Sequence, residues 1–318
     1  MSGKRTEGTF HTSSCPDHYP SDDSRTVICE TVFRDRRFIC YFAALFLGIC
    51  SFAFPLEKLM ALSLNSEFYS FIPLVYATSC YLVASGRKEI FDHPVWSLGY
   101  GTPVLVLCLT AGVVGLQYAA WLGPADYLCV MAFAFWLFLT GTFIIFFGPR
   151  SFMKAIFPLG LLLFTIPLPD LLLDKIVSFF QSASFTATSW IFNALGFFPL
   201  EQGFVFKFPE MSIEVAKQCS GIRSITALVI LSLLSGHLFL RSNLNRILLV
   251  VFAVLIAIFK NGVRIVGLTL GAIYVYPMIL QSELHKQGGI PVFIMAFVML
   301  WLVVLVMRKL EKRRRGTT

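Results

Sequence analysis

Three residues of this chain carry side chains that could serve one reaction: Cys219, Arg264 and His285. A thiolate attacks carbonyl carbon, and an imidazole exchanges protons near neutral pH. A guanidinium stabilises the oxyanion of the tetrahedral intermediate between those steps. Each residue also has a plainer reading. Cys219 can be a structural cysteine beside a headgroup-binding Arg223. Arg264 can snorkel to an interface, and His285 can be a solvated loop histidine. The catalytic reading gains weight only if the fold gathers all three at one place.

Their surroundings differ from those of the other candidates. Of eight cysteines, Cys15 and Cys29 precede the first apolar block. Cys40, Cys50, Cys80, Cys108 and Cys129 lie inside apolar blocks, where cysteine behaves as a small hydrophobe. Cys219 stands at the head of an apolar run, followed by Ser220 and Gly221. A helix starting there would bring its positive end to the sulfur and put Arg223 on the same face, both favouring thiolate. Arg264 closes the segment Lys260-Asn-Gly-Val-Arg264, with Asn261 three residues earlier on the same helical face. A charge inside an apolar span is costly and marks function by default. Lys260 is expected to snorkel or to face a wet cavity. His285 lies in Leu284-His-Lys-Gln-Gly-Gly289.

The elements that must position these residues are membrane helices. The chain is 57% hydrophobic and 14% charged, against about 25% charged in a typical soluble domain. Apolar blocks fall near 38–55, 68–85, 101–122, 125–147, 152–168, 219–240, 246–275 and 290–307. Their length and continuity fit helices of about 20 residues rather than alternating barrel strands. The expected architecture is an all-α polytopic membrane protein with about eight transmembrane helices. Residues 1–37 read as a disordered cytoplasmic tail without a signal peptide, 38–307 as one membrane-embedded domain, and 308–318 as a basic cytoplasmic tail.

Charge gives direction. With eight spans both tails share a side, and that side collects eighteen of the 26 Lys and Arg for a net +9, leaving −1 elsewhere. By the positive-inside rule both termini are cytoplasmic. The formal charge of +8 is then assigned to orientation and anionic lipid, not to nucleic acid. The loops 56–67, 169–218 and 276–289 fall outside, and Cys219, Arg264 and His285 share that outer face. Arg264 lies about 26 Å along its helix from the inner end, near the far edge of a hydrocarbon core of about 30 Å. Cys219 stands there without a cysteine partner in a compartment that favours disulfides. Within the long loop, 170–195 reads as an interfacial helix. Alternation at Phe204, Phe206, Phe208 and then Ile213, Val215 predicts a small β-hairpin turning at Pro209-Glu210. No cluster has metal-ligand spacing and no glycine loop suits phosphate, so no metal or other cofactor is expected.

The order Cys219-Ser-Gly-Ile-Arg-Ser224, Asn261-Gly-Val-Arg264-Ile, His285 and Gly288-Gly289, with the lead-in Pro167-Leu-Pro169, resembles the exosortase/archaeosortase family. The resemblance covers roughly 30–307 and is most specific over 165–290. It implies a multispanning, sortase-like cysteine transpeptidase at the cytoplasmic membrane. Its substrates would be exported proteins carrying a short C-terminal motif, a transmembrane helix and a basic tail, the PEP-CTERM type in bacteria. It also implies that Cys219 is the nucleophile, Arg264 the oxyanion partner and His285 the acid and base, with Arg223, Asn261, Ser220 and Gly221 in support.

Three other readings stand beside it. A hydrolysis-only intramembrane protease would use the same residues. A transporter would place Arg264 on a substrate path, and predicts inverted repeats that the sequence does not display. A non-enzymatic assembly protein would make Cys219 dispensable.

Overall fold

The computed structural model describes residues 36–66, 68–209, 211–274 and 289–316, with the backbone alone at Gln218, Cys219, Gly289, Ile290, Arg315 and Gly316. His285 and all of the N-terminal tail except Arg36 and Arg37 lie outside the described residues.

Helices dominate. The chain runs through α1 (Arg36–Ser51), α2 (Ala53–Asn65), α3 (Ile72–Ser85), a single turn α4 (Arg87–Ile90), α5 (Leu98–Gln117) and α6 (Pro124–Leu161). A 3-10 turn (Leu162–Thr165) leads to α7 (Asp170–Ala194) and three short strands, β1 (Leu200–Gln202), β2 (Val205–Lys207) and β3 (Ser212–Glu214). A second 3-10 turn (Lys217–Ser220) precedes α8 (Ile222–Phe239), α9 (Asn243–Tyr274) and α10 (Gly289–Gly316).

Among the described residues, five helical segments are long and apolar enough to cross a membrane: Leu98–Gln117, Pro124–Thr165, Ile222–Phe239, Asn243–Tyr274 and Pro291–Arg314. Counted as one broken span, the pair α1 and α2, bent by 74° at Phe52, makes a sixth. The sequence predicts eight: departures at α3 and at α6 account for the two missing spans, and a third, at α2, leaves the count unchanged. The block expected over 68–85 forms only the 14-residue α3. The outer loop expected at 56–67 is helical through Asn65 as α2. Two predicted spans are the halves of α6, joined at Gly148, where φ is +83°.

That break makes α6 a hairpin. Trp136 Nε1 donates to the carbonyl of Leu159 at 2.8 Å, although the two residues are 23 positions apart. In a straight helix they would be separated by about 35 Å. Gly148 is required at the corner, because a Cβ there would lie 2.9 Å from the carbonyl oxygen of Val95, and positive φ disfavours side chains. Val95 and Ser97 in turn donate backbone N–H groups to Phe147 and Ile145.

The connections predicted to share the inner side meet one another. Lys154 reaches the carbonyl of Glu89 at 2.7 Å, and Arg37 donates to the carbonyl of Pro94. Glu311 of α10 accepts hydrogen bonds from the backbone of Arg241 and Ser242. At the other end, Asp126 at the head of α6 accepts from the backbone N–H of Asp170 at the head of α7.

The β segment goes beyond the predicted hairpin. β2 and β3 pair antiparallel with Phe206 opposite Ile213, as the alternation implies, and β1 adds a third strand on the other edge of β2. Leu200-Glu-Gln is too short and too polar to announce itself as a strand. The alternating phenylalanines all meet α7. Phe206 stacks on Phe185 at 4.3 Å, Phe204 lies edge-on to Phe185, and Phe208 lies edge-on to Phe192. Phe192, Phe206, Val215, Ile265 and Val266 form one buried cluster that fastens the sheet to α7 and α9.

Candidate active site

The candidate nucleophile sits where the strand segment enters the bundle. After β3, Val215 is buried and its carbonyl accepts from Gln181 Nε2 of α7 at 2.7 Å. Lys217 pairs with Asp174, also of α7, at 3.2 Å; both groups are well exposed, so this contact adds little stability. The 3-10 turn then carries Cys219. Its second anchor is Gly221, in the left-handed region at φ +73°.

Gly221 rests directly on Asn261. A Cβ there would stand 2.8 Å from Asn261 Oδ1 and 2.9 Å from its Cγ. Only glycine allows both the backbone conformation and this approach. Asn261 is fully buried, and its Nδ2 donates to Ser184 Oγ of α7 at 2.9 Å. Beside it, Gly262 lets α9 close onto α7, since a Cβ there would meet Ala187 and Ile191 at 3.2 Å. The cysteine turn is therefore held between α7 and α9, and Arg264 leaves α9 one turn beyond the Gly221 contact.

Two sequence expectations change here. Cys219 does not open a helix: α8 begins at Ile222 with Gly221 as its N-cap. The left-handed residue breaks the register, so Arg223 does not share an α-helical face with Cys219 and is exposed on α8. Lys260 neither snorkels nor faces a wet cavity. It is 2% exposed, and its Nζ donates to Ser224 Oγ of α8 at 2.7 Å. Ser224 Oγ donates onward to the carbonyl of Gly221 at 2.8 Å.

The predicted residues are thus placed unevenly. The structure brings together the backbone of Cys219, Ser220, Gly221 and the side chain of Asn261. Arg264 is half-buried on the same helix, with its Nε shielded from solvent. Ser220 is fully buried. The Cys219 side chain and His285 lie outside the described residues.

The family model for transmembrane exosortases matches residues 63–302. The chain belongs to the transmembrane exosortase family. It is accordingly a multi-pass membrane protein, and the matched segment contains Cys219, Asn261, Arg264 and His285. No curated protein and no solved structure matches it.

Gln181, Ser184, Ser224 and Lys260 bond to the segment carrying Cys219 or to the residues that hold it, and sequence reasoning passed over or misplaced them. One signal was present. Val177, Gln181, Ser184, Thr188 and Phe192 recur at three- and four-residue spacing and form the buried stripe of α7. Polar groups on the inward face of an apolar helix need partners there.

Proposed function

We propose that the chain is a membrane-embedded cysteine transpeptidase acting on the C-terminal sorting signal of exported proteins, at the outer face of the cytoplasmic membrane. The observation that carries this reading is the seat of Gly221 on Asn261, which fastens the Cys219 turn to the helix bearing Arg264. In a family of sorting enzymes, a cysteine turn seated on the helix that carries an arginine one turn further along fits acyl transfer. Both tails are assigned to the cytoplasm by their basic residues.

The Cys219 thiolate adds to the carbonyl carbon of the substrate peptide, forming a C–S bond. Arg264 stabilises the oxyanion. As the C–N bond breaks, His285 delivers a proton to the leaving amine. The thioester then takes an acceptor amine or water, whose proton passes to His285, and C–S cleavage restores the thiolate. The membrane-bound tail of the substrate leaves as the first product.

Replacement of Cys219 by Ala or Ser should abolish processing, so that uncleaved substrate accumulates in the membrane. A hydroxylamine-labile adduct between substrate and Cys219 should be trapped in the parent protein and absent from C219S. Undiminished processing by that variant overturns the reading. The mass of the released product separates transfer from hydrolysis.

A further inference from the structure

The opposite end of the same bundle holds a cavity that the chemistry at Cys219 does not use. It has a volume of about 460 Å³ and lies between the α8–α9 turn and the last turns of α10. Four cations line it: Arg241 from the turn, Arg246 from the first turn of α9, and Arg308 and Lys312 from α10. A single carboxylate, Glu311, joins them, and its oxygens already accept from Arg241 N, Ser242 N and Asn245 Nδ2.

The lining is net positive, with one carboxylate against four cations. None of them has an ion-pair partner among the described residues. Arg246 donates only to uncharged acceptors, the carbonyl of Leu240 and Asn243 Oδ1. Arg308 lies 6.0 Å from the centre of the Phe239 ring. Like charges gathered around one cavity repel, and an anion placed among them relieves that repulsion.

The position of the cavity selects the kind of anion. α10 is uncharged from Pro291 to Met307, and Arg308 is its first charge. α8 carries no Lys, Arg, Asp or Glu from Ser224 to its end at Phe239, with His237 in its last turn at the cavity, and α9 becomes apolar from Ile247. All three helices therefore change from apolar to basic at one level, where a spanning helix meets lipid headgroups. Leu238, which lines the cavity, and Leu244 and Ile247, which flank Arg246 in the first turns of α9, are exposed and offer an apolar flank along which acyl chains can lie. A free anion needs no such flank.

We propose that this cavity binds the phosphodiester headgroup of an anionic phospholipid from the leaflet at this end of the bundle. The phosphate accepts hydrogen bonds from Arg241, Arg308 and Lys312, while the acyl chains follow the outer faces of Leu238, Leu244 and Ile247. The proposal requires only that these helices span the membrane, and it is independent of any reaction at Cys219.

The test uses the full chain in mild detergent, with thermal unfolding followed during titration of phosphatidylglycerol, phosphatidylcholine or inorganic phosphate. Phosphatidylglycerol should raise Tm saturably, and the other two should not. In the double variant Arg308→Gln/Lys312→Gln the apparent affinity for phosphatidylglycerol should fall roughly tenfold or more, whereas Arg87→Gln/Lys88→Gln, an equal loss of exposed charge away from the cavity, should change it less than about twofold. Arg241→Gln supplies an independent variant if the double variant is unstable, and it should also weaken binding. Equal losses in both double variants would reduce the effect to general surface charge and overturn the site. An equal rise with phosphatidylcholine overturns the requirement for an anion. An equal rise with inorganic phosphate overturns the lipid as its source.

Discussion

Lys260 Nζ lies 2.7 Å from Ser224 Oγ, which donates to the carbonyl of Gly221 2.8 Å away. A buried ammonium on α9 is thereby tied, through a hydroxyl on α8, to the residue that fixes the turn carrying Cys219. Burying a lysine in a membrane helix is costly. The contact it makes is with the candidate site and not with the lipid surface.

Lys260→Met should leave the fold intact, with Tm equal to or above that of the parent, because it removes a buried charge of similar length. Processing should nevertheless fall by about tenfold, about 1.4 kcal/mol, since Ser224 Oγ loses the ammonium that orients it toward the Gly221 carbonyl. Ser224→Ala should slow processing alike but should lower Tm, because it leaves the buried ammonium without its Oγ acceptor, and the double variant should process about as slowly as either single. Rates that multiply independently in the double variant would separate the two residues.

Gly221→Ala meets two obstacles, a backbone at φ +73° and a Cβ 2.8 Å from Asn261 Oδ1. The left-handed conformation alone costs about 1–2 kcal/mol for a non-glycine residue. Thermal unfolding in detergent should show a destabilisation of at least that size, together with loss of processing. A variant as stable and active as the parent would mean that the turn is not held as described.

Gln181→Leu removes the donor to the Val215 carbonyl, at a site where both residues are buried. An orphaned buried carbonyl costs about 1–3 kcal/mol. The affected segment leads from β3 to Cys219, so limited proteolysis between 199 and 219 should accelerate while cleavage in the α8–α9 turn stays unchanged. Unaltered proteolysis across 199–219 would show that the sheet alone holds this segment.

Gly148→Ala should destabilise the α6 hairpin by about 2 kcal/mol or more, from positive φ and the approach to the Val95 carbonyl. Trp136→Phe, which forfeits only the bond to Leu159, should cost about 1 kcal/mol. Reversal of that ranking in thermal unfolding would place the corner elsewhere.

Much of the framework was legible in the chain itself. The apolar blocks are long and continuous, and the basic residues fall in alternate connections, so class and connectivity follow from one-dimensional pattern. Phe204, Phe206 and Phe208 announced the sheet face that meets α7. The exact spans were less legible, because α3 is apolar enough to read as a membrane block while α2 reads as an outer loop, and neither the bend at Phe52 nor the brevity of α3 leaves a mark in hydropathy. Arg223 was misplaced for a related reason: a single left-handed residue at Gly221 shifts where the helix begins, and local spacing does not reveal it.

Residue type and topology alone singled out Cys219, Arg264 and His285 as candidates, and the same evidence made the chain a helical membrane protein. Which polar groups become neighbours was decided only by the tertiary structure. Ser224 and Lys260 are 36 positions apart, and Ser184 and Asn261 are 77 apart. Their meeting depends on how α7, α8 and α9 are rotated and shifted against one another. That register is set by close contacts such as those at Gly221 and Gly262, where the absence of a side chain lets two segments touch.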